Sequence, residues 1–333
     1  MRILITGSAG FIGFHAARRL LAEGHQILGI DGFTPYYDVN LKRARHGILK
    51  ESSSFTEAVL MLEDSAQVAA TCAGFAPEAI IHLAAQAGVR YSLENPRAYI
   101  DANIVATFNV MEAARVETVR HLMLASTSSI YGASENYPFA ETDRADAPLT
   151  LYAATKKSTE LMSHSYSHLW KIPTTAFRFF TVYGPWGRPD MVPFKFVEAI
   201  LAGRSIEIYN HGEMLRDFTY VDDLVKAIVL LLHRPPVEGQ GVEGDSLSPV
   251  APWRVVNIGA GSPCRLLDFI DEIERALGRT AKRKYMTIQP GDVLATFADT
   301  TLLGRLTGYL PNTSSRAGVE AFCNWYLEYH QTV

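Results

Sequence analysis

Three glycines spaced by three, Gly7, Gly10 and Gly13, stand between a short apolar run, Arg2 to Thr6, and a stretch from Phe11 to Glu23 with helical periodicity. A strand that passes through such a turn straight into a helix confines the fold to a few α/β solutions. The alternation continues with an apolar run at Gln26 to Ile30 and a polar, tyrosine-rich excursion after it. Further short apolar runs lie at Ala79 to Leu83, His121 to Ala125 and Thr174 to Phe179, with helical patterns at Asn103 to Glu117 and Ala153 to Trp170 between them. Strands alternating with helices predict βαβ units and a Rossmann-type, doubly wound sheet of five or six parallel strands. Between Ser52 and Phe75 the pattern is weakest; Met61 to Asp64 could end a strand and Gln67 to Ala73 form a helix.

After Tyr183 the texture changes to G-P-W-G-R-P, then an amphipathic stretch at Pro193 to Ala202 and a hairpin-like segment from Ile206 to Phe218. These features predict a dinucleotide-binding domain over residues 1–180 and a smaller α+β substrate domain over most of 181–333, with a return of the chain to the first domain around 220–258. Residues 235–252 read as a surface loop and Val255 to Ile258 as a strand. No internal repeat or low-complexity tract is present.

Hydrophobic residues make up 48% of the 333 and charged residues 20%, enough for a core that needs no staple. A net charge of −4, with both signs mixed along the chain, gives no basic stripe for nucleic acid and no polybasic segment for a lipid surface. Cys72, Cys264 and Cys323 are too few and too scattered for a disulfide framework or a zinc site, so no metal is expected and a reducing cytoplasm is the simplest compartment. The opening MRILITGSAG has no long apolar segment before a cleavage site, and no apolar run nears the ~20 residues of a bilayer span. The expectation is a soluble protein that starts at Met1.

The glycine turn would let backbone approach a pyrophosphate, while the N–H groups of the helix opening at Phe11 and Ile12 face it with the positive end of the helix dipole. Asp31 ends the second strand, where a carboxylate can bind the adenosine ribose hydroxyls and repel a 2′-phosphate, which favours NAD over NADP. Tyr152 and Lys156 are spaced i and i+4 on one helix face. A phenol with an unperturbed pKa of ~10 is a poor base, but an adjacent ammonium and a cationic nicotinamide both favour its phenolate. Alone, this spacing also suits an exposed helix face. Its companions are the hydroxyls of Ser126-Thr127-Ser128-Ser129, at the carboxyl end of a predicted strand, where a ligand belongs. The histidines, His15 and His82 included, have no ligand or triad spacing and read as core or surface residues.

Together, the glycine triplet, the hydroxyl cluster and Tyr152/Lys156 resemble the extended short-chain dehydrogenase/reductase family. Within it, L-A-A-Q-A-G-V-R-Y-S at 83–92, S-T-S-S-I-Y-G at 126–132, Y-A-A-T-K-K at 152–157, R-F-F-T-V-Y-G-P-W-G-R-P-D-M at 178–191 and P-G-D-V at 290–293 resemble UDP-glucuronate 4-epimerases. The resemblance implies Thr127 or its neighbour as the hydroxyl of a catalytic triad, Tyr152 as base and Lys156 as its tuner and nicotinamide-ribose ligand. It implies NAD contacts at Gly7, Gly10, Phe11, Ile12, Gly13, Asp31, Leu62, Leu83, Ala84 and Ala85. Ser128, Ser129 and Thr181 would hold a substrate carboxylate. Arg90, Arg188 and Arg216 would lie nearer the nucleotide diphosphate, where a guanidinium fork suits phosphate, and Asp292 would meet the uridine ribose. A homodimer packed through two helices per subunit is implied too, with Ala153 and Ala154 allowing close approach. One departure stands out: relatives carry an aspartate that touches adenine where this chain has Met61, so a backbone carbonyl, Asp64 or water must accept the adenine amino group.

The reaction implied is epimerisation of UDP-glucuronate at C4. Dehydratase relatives carry an Asp-Glu pair, and decarboxylating ones a glutamate, where this chain has Ser128-Ser129. Elimination needs an acid and a base there. The alternatives are a UDP-xylose-forming decarboxylase, a UDP-galactose 4-epimerase, whose usual asparagine is replaced here by Thr181, and a non-enzymatic dinucleotide-binding module, against which the intact Thr127, Tyr152 and Lys156 argue.

Overall fold

The computed structural model describes residues 1–288 and 293–332. From the N-terminus the elements are β1 (Arg2–Thr6), α1 (Phe11–Ala22), β2 (Gln26–Asp31), α2 (Val39–Leu49), β3 (Phe55–Val59), α3 (Ser65–Phe75) and β4 (Ala79–His82). The short helices α4 (Tyr91–Glu94) and α5 (Pro96–Tyr99) run through a π-helical turn, Ile100–Val105, into α6 (Ala106–Val116). Next come β5 (His121–Thr127), α7 (Leu151–Trp170) and β6 (Thr174–Phe179). All the strands so far join one parallel sheet in the order β6-β5-β4-β1-β2-β3. Outside the edge strand β3, their near-continuous burial on both faces explains the apolar runs of the sequence.

Beyond residue 180 follow β7 (Thr181–Tyr183), α8 (Val192–Leu201), β8 (Ser205–Ile208), β9 (Leu215–Arg216), β10 (Phe218–Tyr220) and α9 (Val221–Leu232). The remainder is β11 (Trp253–Ile258), β12 (Cys264–Arg265), α10 (Leu266–Leu277), β13 (Lys282–Tyr285), β14 (Ala295–Thr296), α11 (Thr301–Thr307) and α12 (Ser315–Thr332). Strand β11 lies parallel to β6 and brings the main sheet to seven strands, while α9 packs on α1. A separate apolar core, with Phe194, Ile206, Phe218, Phe269 and Phe322, binds α8, α10 and α12 into the layer over the sheet's carboxyl edge.

Three expectations need correction. The sheet has seven strands, not five or six, because Phe55–Val59 and Trp253–Ile258 both join it. No strand covers Met61 to Asp64: β3 stops at Val59, and Asp64 caps α3 instead, its carboxylate accepting from the Gln67 N–H at 3.0 Å. Ile206 to Phe218 is not a hairpin. β8 pairs in parallel with distant β13, and β9 pairs with β12 and β14. Asn210 and His211 are left-handed and turn the chain away before the two strands can meet.

Candidate active site

The strand order reverses between β1 and β4, and a crevice opens at their carboxyl ends. Gly7 leaves β1 with φ +71°, a conformation that penalises any Cβ, and its N–H donates to the Ile30 carbonyl at 2.7 Å. Gly13, on the first turn of α1, lies so close beneath that an added Cβ would come within 2.1 Å of the Gly7 carbonyl oxygen. No side chain caps α1 at Gly10, so its first N–H groups are open to an anion. Every residue named above for the dinucleotide, from Gly7 to Lys156, lines a single cleft of about 270 Å³. The glycine cradle, the uncapped helix and the carboxylate at the end of β2 fit a dinucleotide such as NAD.

Asp31 already holds the turn in shape, accepting from the N–H of Ala9 at 3.0 Å and of Phe33 at 2.8 Å. Beyond it, Met61 lines the cleft with 44% of its surface exposed. Asp64, one acceptor considered for the adenine amino group, is occupied elsewhere: besides the Gln67 backbone it accepts from the Gln67 side chain at 2.6 Å. Lys42, Tyr36 and Gln86 also line the cleft and were not anticipated. The buried Lys42 ammonium donates to the Thr34 carbonyl at 2.7 Å and lies over the Tyr37 ring. Its only signal in the sequence was the tyrosine-rich excursion around it.

At the other end of the cleft, Thr150 caps α7 and starts the helix two residues before Tyr152. Helical spacing then puts Tyr152, Lys156 and Glu160 on one face. Burial raises the phenol of Tyr152, opposed by a hydrogen bond with Thr127 and by the charge of Arg188. Lys156 is 3% exposed, and burial lowers its ammonium to about 8, with Glu160 pulling the other way. It therefore stays mostly charged at neutral pH, as an ammonium must to favour phenolate. Burial raises the Glu160 carboxyl, but Arg178 outweighs it with hydrogen bonds at 3.0 and 3.1 Å, and Ser126 donates at 2.6 Å. Ser126 thus serves Glu160, and Thr127 is the hydroxyl that meets the phenol.

Thr127 also donates to Ser129 Oγ at 3.2 Å, within the turn Ser128–Tyr131. Strand register sets Phe179 beside Thr127, so half-buried Thr181 follows two residues along, its N–H bonded to the Asp217 carbonyl at 3.1 Å. Arg188 lines the cleft, paired with Asp190 at 3.0 Å, and its charge favours the ionised form of Tyr152. Ser128, Ser129, Thr181, Arg90 and Arg216 are not among the residues that line the cleft. Arg90 stacks 4.6 Å over the Tyr209 ring, and Arg216 donates to the Val293 carbonyl at 2.7 Å. Asp292 lies outside the described residues. Among those residues no group of acidic, histidine or cysteine side chains could hold a metal, and no helix is long and apolar enough to cross a membrane.

Residues 3–243 match the NAD dependent epimerase/dehydratase family. A probable UDP-glucuronate 4-epimerase of Rhizobium meliloti (strain 1021) is 59% identical over 330 residues, 98% of this chain and 97% of the relative. UDP-glucuronate 4-epimerase 3 of Arabidopsis thaliana is 41% identical over 98% of this chain and 77% of its own length. The crystal structure of UDP-glucuronic acid 4-epimerase from Bacillus cereus, in complex with UDP-glucuronic acid and NAD, superposes with a TM-score of 0.88 at 30% identity, covering 99% of this chain and 100% of that one. With a family match over most of its length and whole-chain relatives on both counts, the chain belongs to the NAD dependent epimerase/dehydratase family.

Proposed function

We propose that the chain interconverts UDP-glucuronate and UDP-galacturonate by inverting C4 of the sugar, with NAD as resident cofactor. The observation that carries this reading is the half-buried phenol of Tyr152, hydrogen-bonded to Thr127 and one helical turn from the charged Lys156, in the same cleft as the glycine cradle. Bound NAD supplies a hydride acceptor at C4 that can also return the hydride. Tyr152 takes the proton of the 4-hydroxyl, and Thr127 holds that oxygen in line. Lys156 favours the phenolate and holds a ribose hydroxyl. The 4-keto sugar would turn about its diphosphate link, and Tyr152 would give the proton back to the C4 oxygen. Ser128, Ser129 and Thr181 hold the carboxylate with neutral hydrogen bonds, keeping the β-keto acid out of the geometry in which carbon dioxide leaves.

Residues 1–180, joined by the segment 220–258, form the dinucleotide half in this reading; the rest of 181–333 holds the UDP end, with Arg90, Arg188, Arg216 and Asp292 assigned to the nucleotide. The cytoplasm is the compartment it expects. Incubation with UDP-glucuronate and NAD⁺ in D₂O should yield an isomer of unchanged mass, epimeric at C4 and free of solvent deuterium, by NMR and mass spectrometry. A UDP-pentose with release of carbon dioxide would instead establish the decarboxylase and overturn the role given to Ser129.

The protein is, in the same reading, a homodimer. Phe108 and Val116 on α6 and Leu161 and Leu169 on α7 form an exposed apolar stripe across two packed helices, Leu161 with 62% of its surface bare. Ala153, expected at the partner, is buried inside the subunit, because its side of α7 faces the sheet; Ala154 is the outward residue. Leu161→Glu should shift sedimentation at micromolar concentration from dimer to monomer. A wild-type protein that sediments only as monomer would remove the claim.

A further inference from the structure

Ser8, inside the glycine turn, shares a hydrogen bond of 2.9 Å with His46 Nε2, and His46 Nδ1 meets Glu57 Oε1 at 2.8 Å. Ser8 is 0% and His46 1% exposed, with the imidazole wedged edge-on between Phe33 and Phe55, ring centres 5.0 and 5.4 Å away. Burial acts to raise the half-buried Glu57 carboxyl, but hydrogen bonds from Lys50 and His46 outweigh it and leave it lowered, hence ionised. An ionised carboxylate only accepts, so Nδ1 of the ring carries a proton and donates it to Glu57, while Nε2 meets the Ser8 hydroxyl. A serine, a histidine and an acid in this order would suit acyl transfer in an open cleft. Here no acyl carbonyl can reach a hydroxyl without exposed surface.

Burying the Ser8 hydroxyl and the His46 imidazole beneath a turn, with a half-buried carboxylate behind them, costs free energy that an apolar plug would not, so the arrangement calls for a directional role. The residue before His46 makes the companion contact: Arg45 donates to the Ala9 carbonyl at 2.8 Å. Helix α2 thus grips two successive residues of the turn, while Asp31 holds the Ala9 N–H from β2. Release of Ser8 frees the backbone between Gly7 and Gly10, the stretch that must approach the pyrophosphate closely.

We propose that Ser8, His46 and Glu57 form a buried hydrogen-bond relay that preorganises the glycine turn, with His46 a positioning residue for the dinucleotide. The proposal rests on the assignment of the cleft to NAD and is independent of which UDP-sugar reacts. Its test is calorimetry of NAD⁺ binding to the full-length chain, alongside thermal unfolding without nucleotide. Ser8→Ala and His46→Leu should each weaken NAD⁺ binding about tenfold, and the double variant no further than the worse single one, since both cut one relay. His46→Gln, whose amide reaches the same hydroxyl, should recover most of the affinity. The loss should appear in the NAD⁺ dissociation constant rather than in kcat at saturating NAD⁺. Unchanged affinity in Ser8→Ala, a substitution that adds no volume, overturns the proposal even if His46→Leu fails to fold; so do losses that simply add. A wild-type chain that binds no NAD⁺ would overturn the cofactor assignment as well, which separates the two failures.

Discussion

Tyr152→Phe should lower kcat for epimerisation by about three orders of magnitude while thermal unfolding and NAD⁺ binding stay close to wild type. Positioned general acid–base groups contribute on the order of 10²–10⁴ in rate, and here the base works in both directions of each turnover. The ring itself is kept: it stands edge-on to Tyr99 with centroids 6.1 Å apart, and phenylalanine preserves that packing. Only the hydroxyl is lost, with its hydrogen bond to Thr127. Steady-state rates with UDP-glucuronate, with melting curves for both proteins, make the comparison. A residual rate within tenfold of wild type would mean that another group takes the proton, and the roles of Thr127 and Lys156 would have to be reassigned with it.

A second large effect is expected from one methyl group. In Gly13→Ala the new Cβ would meet the Gly7 carbonyl oxygen at 2.1 Å, the Gly7 carbonyl carbon at 2.8 Å and the Ser8 Cα at 3.0 Å. All three are backbone atoms, so no side-chain rotation relieves the clash, and α1 must move away from the turn. Overpacking of this kind costs about 1–3 kcal/mol, and the same shift withdraws the N–H groups that face the pyrophosphate. NAD⁺ affinity should fall about a hundredfold and the melting temperature should drop. Gly47→Ala is the control, since a Cβ there has nothing within 4 Å and α2 should gain about 0.5–1 kcal/mol from the better helix former. Affinity for NAD⁺ within threefold of wild type in Gly13→Ala would show that the turn is not the cradle.

The parallel sheet, the glycine turn and the Tyr152/Lys156 pair were legible in the sequence because each is a local pattern. An apolar run followed at once by glycines and a helical period reports β1, its turn and α1 within two dozen residues. A four-residue spacing needs only the helix pitch to put a phenol and an ammonium on one face. The end of a predicted strand drew attention to the hydroxyls of residues 126–129, and the resemblance to known epimerases added the separate roles expected of them.

Other features had no local signature. β8 finds its partner in β13 some seventy residues on, and the two alternating stretches near 206 and 218 looked like a hairpin because nothing nearby announced the left-handed turn at Asn210 and His211. Lys42, Arg45 and His46 follow the polar, tyrosine-rich excursion with no sign of what they touch, yet all three are buried. Their partners, Thr34, Ala9 and Ser8, belong to loops that reach them only when β1, β2 and α2 have packed. Arg188 could be any surface cation until the folded chain pairs it with Asp190 at the wall of the cleft. The sequence by itself determined the fold class, the glycine turn and the pairing of Tyr152 with Lys156 on one helix face, since backbone period and steric freedom act over a few residues. Only the tertiary structure decided which polar side chains are buried and what holds the turn in place, because a buried polar group is tolerable only beside a partner that the folded chain supplies from far away.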